Sequence, residues 1–149
     1  MTLDLDSIRL RLALILDYLS EIEPLASMGL EEFLSNRYMQ RAAERLLEIT
    51  VQAAIDINNH LLKKQFGLAI PSNAIGFQEL SRCGVISGEL ANQLADSGRL
   101  RNRLAHRYYE IDYETLFAIL SEVLEHYPLY AQQVENFIDL LEANHDAES

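Results

Sequence analysis

Apolar residues recur at three- and four-residue steps along most of the chain, the spacing of amphipathic helices. In the first segment, residues 4–22, Ile8, Leu12, Ile15, Leu16 and Leu19 fall on one helical face, with Asp4 or Asp6 as N-cap and Pro24 as the expected stop. A connector containing Gly29, Glu31 and Glu32 follows, with room for a helical turn over residues 30–34. The second segment, residues 36–65, carries two stripes: Leu46, Ile49, Ala53 and Ile57, and Leu47, Val51, Ala54, Ile55 and Leu62. Two stripes imply burial on more than one side, which makes this the central helix of a bundle. Gly67 and Pro71 mark a loop over residues 67–73. A short helix with Ile75, Phe77 and Leu80 then opens at Ser72 or Asn73 and breaks at Gly84. Ser87 starts the next helix, with Leu90, Leu94 and Leu100 inward. Asp112 caps a further one, carrying Leu116, Ile119, Leu120, Val123 and Leu124. Pro128 is expected to kink or interrupt it before a last stretch through Tyr130, Val134, Phe137, Ile138 and Leu141.

Strand-like alternation is absent, as are Asn-Gly and Asp-Gly hairpin signals. The pattern predicts an all-α, up-and-down bundle with four main helices and short accessory ones. The 149 residues suit a single domain spanning residues 1–149, with a polar, disordered tail at 144–149.

Composition adds exclusions. Hydrophobic residues at 49% and charged residues at 23% are ordinary for a globular chain. Cys83 is the single cysteine, so no intrachain disulfide forms. The acidic start, Met1-Thr2-Leu3-Asp4, is not a secretory signal, and no run approaches the ~18 apolar residues of a membrane helix. A cytoplasmic location is expected. The net charge of −11 opposes a general nucleic-acid coat. Its distribution matters more: Arg99, Arg101, Arg103 and Arg107 are four of the 12 Lys+Arg, with no acid between them. That describes a local anion site in an acidic protein.

The same run holds Asn102, His106, Tyr108 and Tyr109. Metal-free RNA cleavage needs a group that moves a proton at the 2′-hydroxyl or the leaving oxygen, and a cation against the phosphorus. Histidine titrates near neutrality and suits the first task. Arginine binds phosphate oxygens in pairs and suits the second. Spacing poses a problem. Five positions on a regular helix separate Arg101 and His106 by roughly 140° and about 7.5 Å. Either the helix ends or distorts between them, or two copies of the segment face each other across a two-fold axis. Arg99, Arg103 and His106 share one face, and Arg101, Ala105 and Tyr108 share another. A plainer reading also fits: arginines late in a helix favoured by its dipole, a hydrogen-bonded histidine and packing tyrosines.

Arg101, four residues, His106, one residue, Tyr108 resembles the motif of the HEPN superfamily in its HepT-like form. Asn102 matches that family's polar residue after the motif arginine. The stretch Ala54-Ile55-Asp56-Ile57-Asn58-Asn59-His60, the Gly67 to Pro71 loop and Gly84-Val85-Ile86 follow in the family's order, so the resemblance spans roughly residues 5–140. It implies a helical bundle that dimerises, with the motif of each chain lining a shared cleft. It further implies a metal-independent endoribonuclease, the toxin of a two-gene toxin–antitoxin module. Its partner would be a minimal nucleotidyltransferase antitoxin, MntA. In those terms Arg101 stabilises the phosphate and His106 handles the proton or positions the 2′-hydroxyl. Asn102, Arg99, Arg103 and Arg107 hold RNA, and Tyr108 receives AMP from the partner. No cofactor is implied.

Other candidates are weaker. His60, four residues after Asp56, suits a metal pair or proton carrier less well than a satisfied helix-end network. His126 and His145 have no partners at ligand spacing, so a solvated surface is expected and no metal site is found. Tyr38, Arg41 and Arg45 form a strip that reads first as a solvated face and second as an RNA or partner surface. Against the nuclease stands a reading of another class: a non-catalytic nucleotide- or RNA-binding subunit of a minimal nucleotidyltransferase. A purely structural adaptor is a third.

Overall fold

The computed structural model describes residues 3–69, 73–106 and 112–148, with residues 73, 74, 98, 101–106 and 148 described as helical backbone alone. Six helices fill these residues, in the order α1 (Leu5–Ser27), α2 (Leu30–Leu34), α3 (Arg37–Lys64), α4 (Asn73–Arg82), α5 (Gly88–His106) and α6 (Tyr113–Glu148). No strand occurs among the described residues.

Helix starts follow their caps. The Asp4 carboxylate accepts from the Ser7 N–H at 3.0 Å and the Asn36 side chain from the Met39 N–H at 3.1 Å. Ser87 Oγ accepts from the Leu90 N–H at 3.2 Å. Gly84, at φ +81°, ends α4 with Val85 N–H bonded to Leu80 C=O at 2.9 Å and Gly84 N–H to Ser81 C=O at 3.0 Å. A positive φ at this position is why a glycine stands there.

Both prolines were expected to end or disturb a helix, and neither interrupts one. Pro24 sits inside α1 and Pro128 inside α6. Each removes one backbone donor. Continuing the helix, however, buries Leu25 beyond the first proline and Tyr130, Ala131, Val134 and Ile138 beyond the second. Full burial of one such side chain is worth about 1.5–3 kcal/mol, so the run beyond Pro128 outweighs the lost bond.

Side-chain contacts fix the helix directions. The Asp4 N–H donates to His60 Nε2 at 3.0 Å, which sets the start of α1 beside the end of α3. Arg9 reaches Asp139 and Glu142 at 3.0 Å and Glu135 at 3.6 Å on α6. The Tyr113 hydroxyl donates to Glu44 at 2.5 Å, and the Tyr130 hydroxyl to Ala54 C=O at 3.1 Å and Asn58 Oδ1 at 2.6 Å, so α6 runs parallel to α3. Ser87 and Ser97 meet Gln133 and Tyr127, so α5 is antiparallel to α6. The four long helices therefore alternate up, down, up, down. Their shared core holds Ile15, Ile22, Leu47, Ile57, Phe77 and Tyr130, and Phe33 of α2 is buried with them. Tyr127 completes the core on the side where α5 and α6 pair.

Candidate functional site

α5 ends, and α6 begins, at the end of the bundle where α3 begins. Arg101, Asn102, Arg103 and His106 occupy the last two turns of α5. Their side chains, and Arg107 and Tyr108 altogether, lie outside the described residues. The α5 backbone nevertheless answers one question: it is α-helical from Gly88 through His106. The helix does not end between Arg101 and His106, so the two keep the separation of about 140° that a regular helix imposes.

Both ends of the motif are anchored. On the near side, α5 pairs with α6 through the buried contact between Ser97 Oγ and Tyr127 OH at 2.7 Å. On the far side, the Asp112 carboxylate accepts from Thr115 Oγ1 at 2.9 Å and from the Glu114 N–H at 3.0 Å, starting α6. Those bonds hold its pKa below the ordinary carboxylate value. Tyr113 follows, its hydroxyl donating to Glu44, which also pairs with Arg41 at 3.2 Å. Burial, then the adjacent carboxylate, pushes the Tyr113 phenol pKa up, so it remains a donor.

Arg99 is exposed and pairs with Asp96 one turn earlier. Both line a groove of about 360 Å³ between α5 and α6. Its floor is apolar, from Leu94, Leu100, Ile119, Val123 and Tyr127, and Glu122 and His126 form its α6 rim. His126 is thus half-buried beside Arg99 and not the fully solvated residue expected from sequence. Its position next to the inward Tyr127 was the available signal. Gln93 and Ser97 add polar atoms to the same groove.

His60 takes the plainer of its two expected roles. Its Nε2 accepts the Asp4 N–H, and its pKa is lowered by burial, then by Lys64 and Arg11, against the opposing pull of Asp4. Asp56 instead accepts from the Gln52 amide at 2.8 Å. Among the described residues there is no cluster of three or more His, Cys, Asp or Glu side chains suited to a metal ion. No helix described is long and apolar enough to cross a membrane. The strip of Arg37, Tyr38, Arg41 and Arg45 is exposed on the first turns of α3, at the end of the bundle where α5 terminates.

Comparison with known proteins adds the following. The family model described as "Ribonuclease HepT-like" matches residues 15–138. A tRNA nuclease HepT from Aphanizomenon flos-aquae is 40% identical over 139 residues, 93% of this chain and 95% of that protein. Among solved structures, the tri-AMPylated Shewanella oneidensis HEPN toxin in complex with MNT antitoxin aligns with a TM-score of 0.80 at 23% identity, covering 88% of this chain and 98% of that one. YutE of Bacillus subtilis, a cytosolic protein of unknown function, aligns at 0.82 with 13% identity over 94% of both chains. At these identities the structural likenesses speak to the fold.

Proposed function

The chain belongs to the HepT-like ribonuclease family, and from that premise we propose that it is a cytoplasmic, metal-independent endoribonuclease, the toxin of a toxin–antitoxin pair. A nucleotidyltransferase antitoxin silences it by attaching AMP to Tyr108. The observation that carries the reading is the unbroken α5 helix through His106. One copy of such a helix holds Arg101 and His106 on separate faces and serves a single phosphate poorly. Two copies about a two-fold axis bring the arginine of one to the histidine of the other. The cleft then gathers Arg99, Arg101, Arg103 and Arg107 from each protomer into one anion site in an otherwise acidic chain.

In that cleft the 2′-oxygen of the RNA attacks phosphorus and the bond to the 5′-oxygen breaks. His106 takes the 2′-hydroxyl proton, and the departing 5′-oxygen takes one from water, leaving a 2′,3′-cyclic phosphate and a 5′-hydroxyl. Arg101 offsets the charge that builds on the phosphoryl oxygens. Asn102, Arg99, Arg103 and Arg107 hold the flanking strand. A 40%-identical tRNA nuclease supports RNA as the substrate. The tri-AMPylated HEPN toxin bound to its MNT antitoxin supports control by AMP addition. Tyr108 stands two residues from His106, so each added AMP sets a negative phosphodiester beside the motif. Those charges compete for the arginines and repel RNA.

The test is RNA incubation in excess chelator with wild type, Arg101→Ala and His106→Ala. Wild type is expected to cleave, and loss of the imidazole should slow cleavage by on the order of 10²–10⁴-fold. Intact RNA with wild type, or full activity in His106→Ala, refutes the nuclease. RNA binding without cleavage would point to the binding-subunit reading instead.

A further inference from the structure

Tyr38 has no structural explanation in the core. It is 87% exposed, the most exposed large hydrophobic side chain described, and it is not among those packed on the buried cluster. It sits on the first turn of a 28-residue helix, so its backbone is rigidly held. Arg37, Arg41 and Arg45, four residues apart, form a row beside it, and all three are exposed. Glu44 and Glu48 pair with Arg41 and Arg45 at 3.2 and 3.5 Å. Glu44 is largely covered, but both arginine side chains stay exposed, and a guanidinium has five donors, so each can meet phosphate while its carboxylate partner keeps its bond.

Location gives the strip its meaning. The guanidinium groups of Arg37 and Arg41 lie within electrostatic reach of the Tyr113 phenol, which is itself bonded to Glu44. Tyr113 follows His106 by seven residues and Tyr108 by five. The strip therefore stands beside the end of the bundle where the motif helix terminates. A flat aromatic face in water with cations beside it is what single-stranded nucleic acid requires, since any base can stack while its phosphates are neutralised.

We infer that the first turns of α3 form a subsite for single-stranded RNA next to the cleavage cleft, in which Tyr38 stacks on a base and Arg37 and Arg41 hold its flanking phosphates. This rests on the ribonuclease reading and extends it from the scissile phosphate to the strand alongside. Aromatic stacking in place of hydrogen-bond readout means that the subsite sets affinity and strand register with little base preference.

The experiment uses a fluorescein-labelled single-stranded RNA oligonucleotide and the His106→Ala protein, with binding read by anisotropy. Adding Tyr38→Ala should weaken binding about 5- to 150-fold, the range of base–aromatic stacking, whereas Tyr38→Phe and Tyr38→Trp should hold it within about twofold. In the active protein, Tyr38→Ala should raise KM and leave kcat unchanged. If wild type cleaves and Tyr38→Ala binds and cleaves as well as it does, the subsite is wrong and the ribonuclease stands. If wild type leaves RNA intact while Tyr38→Ala still loses affinity, the ribonuclease falls and the subsite stands. Loss of binding to the nucleotidyltransferase with RNA affinity unchanged would assign the face to a protein partner and overturn the inference.

Discussion

Ser97 and Tyr127 join the motif helix to α6, and their hydrogen bond has a direction that can be tested. The two oxygens are 2.7 Å apart and both residues are buried. Ser97 has one proton, and its Oγ stands 2.5 Å from the Leu94 carbonyl oxygen. Tyr127 must then be the donor to Ser97 Oγ. Burial pushes the Tyr127 phenol pKa well up, so its proton stays in place at any working pH. The assignment predicts an asymmetry. Tyr127→Phe removes the donor but leaves Ser97 bonded to Leu94, costing about 0.5–1.5 kcal/mol, the net worth of one hydrogen bond. Ser97→Ala strands a fully buried hydroxyl without its acceptor, costing about 1–3 kcal/mol. The double variant removes both partners, so it should be at least as stable as Ser97→Ala, with a coupling of about 1 kcal/mol or more. Urea unfolding at one fixed protein concentration measures this as a shift in midpoint at constant slope. Thermal midpoints should fall about 2–4 °C per kcal/mol. Tyr127→Phe costing as much as Ser97→Ala, or strictly additive effects, would refute the donor assignment.

Two further outcomes are expected. His60 has a pKa below the ordinary histidine value because burial favours the neutral imidazole that accepts the Asp4 N–H. Its contribution is therefore fully present above the unfolded pKa and is lost as pH falls through the folded one. Acidification below about 6.5 should loosen the start of α1, seen as faster amide exchange near residues 4–8, and His60→Gln should flatten that dependence. For Tyr108, incubation with the nucleotidyltransferase and ATP should add whole AMP masses and suppress cleavage. Full mass gain in Tyr108→Phe would remove Tyr108 from the scheme.

Much of the fold was legible because helical information is local. The i, i+3, i+4 stripes, the caps at Asp4, Ser87 and Asp112 and the stop at Gly84 depend on residues within a turn or two of each other. The Arg101–His106–Tyr108 spacing was likewise readable, because family motifs are written in consecutive positions. What lay beyond reach depends on distant partners. Leu16 belongs to the first stripe in sequence yet is 52% exposed, because the other helices meet α1 along Ile8, Leu12, Ile15, Leu19 and Ile22. Gln40 and Asn58 look like surface residues but are buried. The Gln40 amide bonds the Phe33 and Leu34 carbonyls at 3.0 Å, and Asn58 accepts from Tyr130. Pro128 is tolerated inside α6 because the burial of Tyr130, Ala131, Val134 and Ile138 beyond it outweighs one missing bond.

Periodicity and motif spacing thus determined the helical class, the four main helices and the candidate chemistry. Tertiary packing decided which faces are covered and that His126 and Arg99 border one groove. The physical reason is range: a helix is closed by bonds four residues apart, whereas burial and approach are set by side chains tens of residues away.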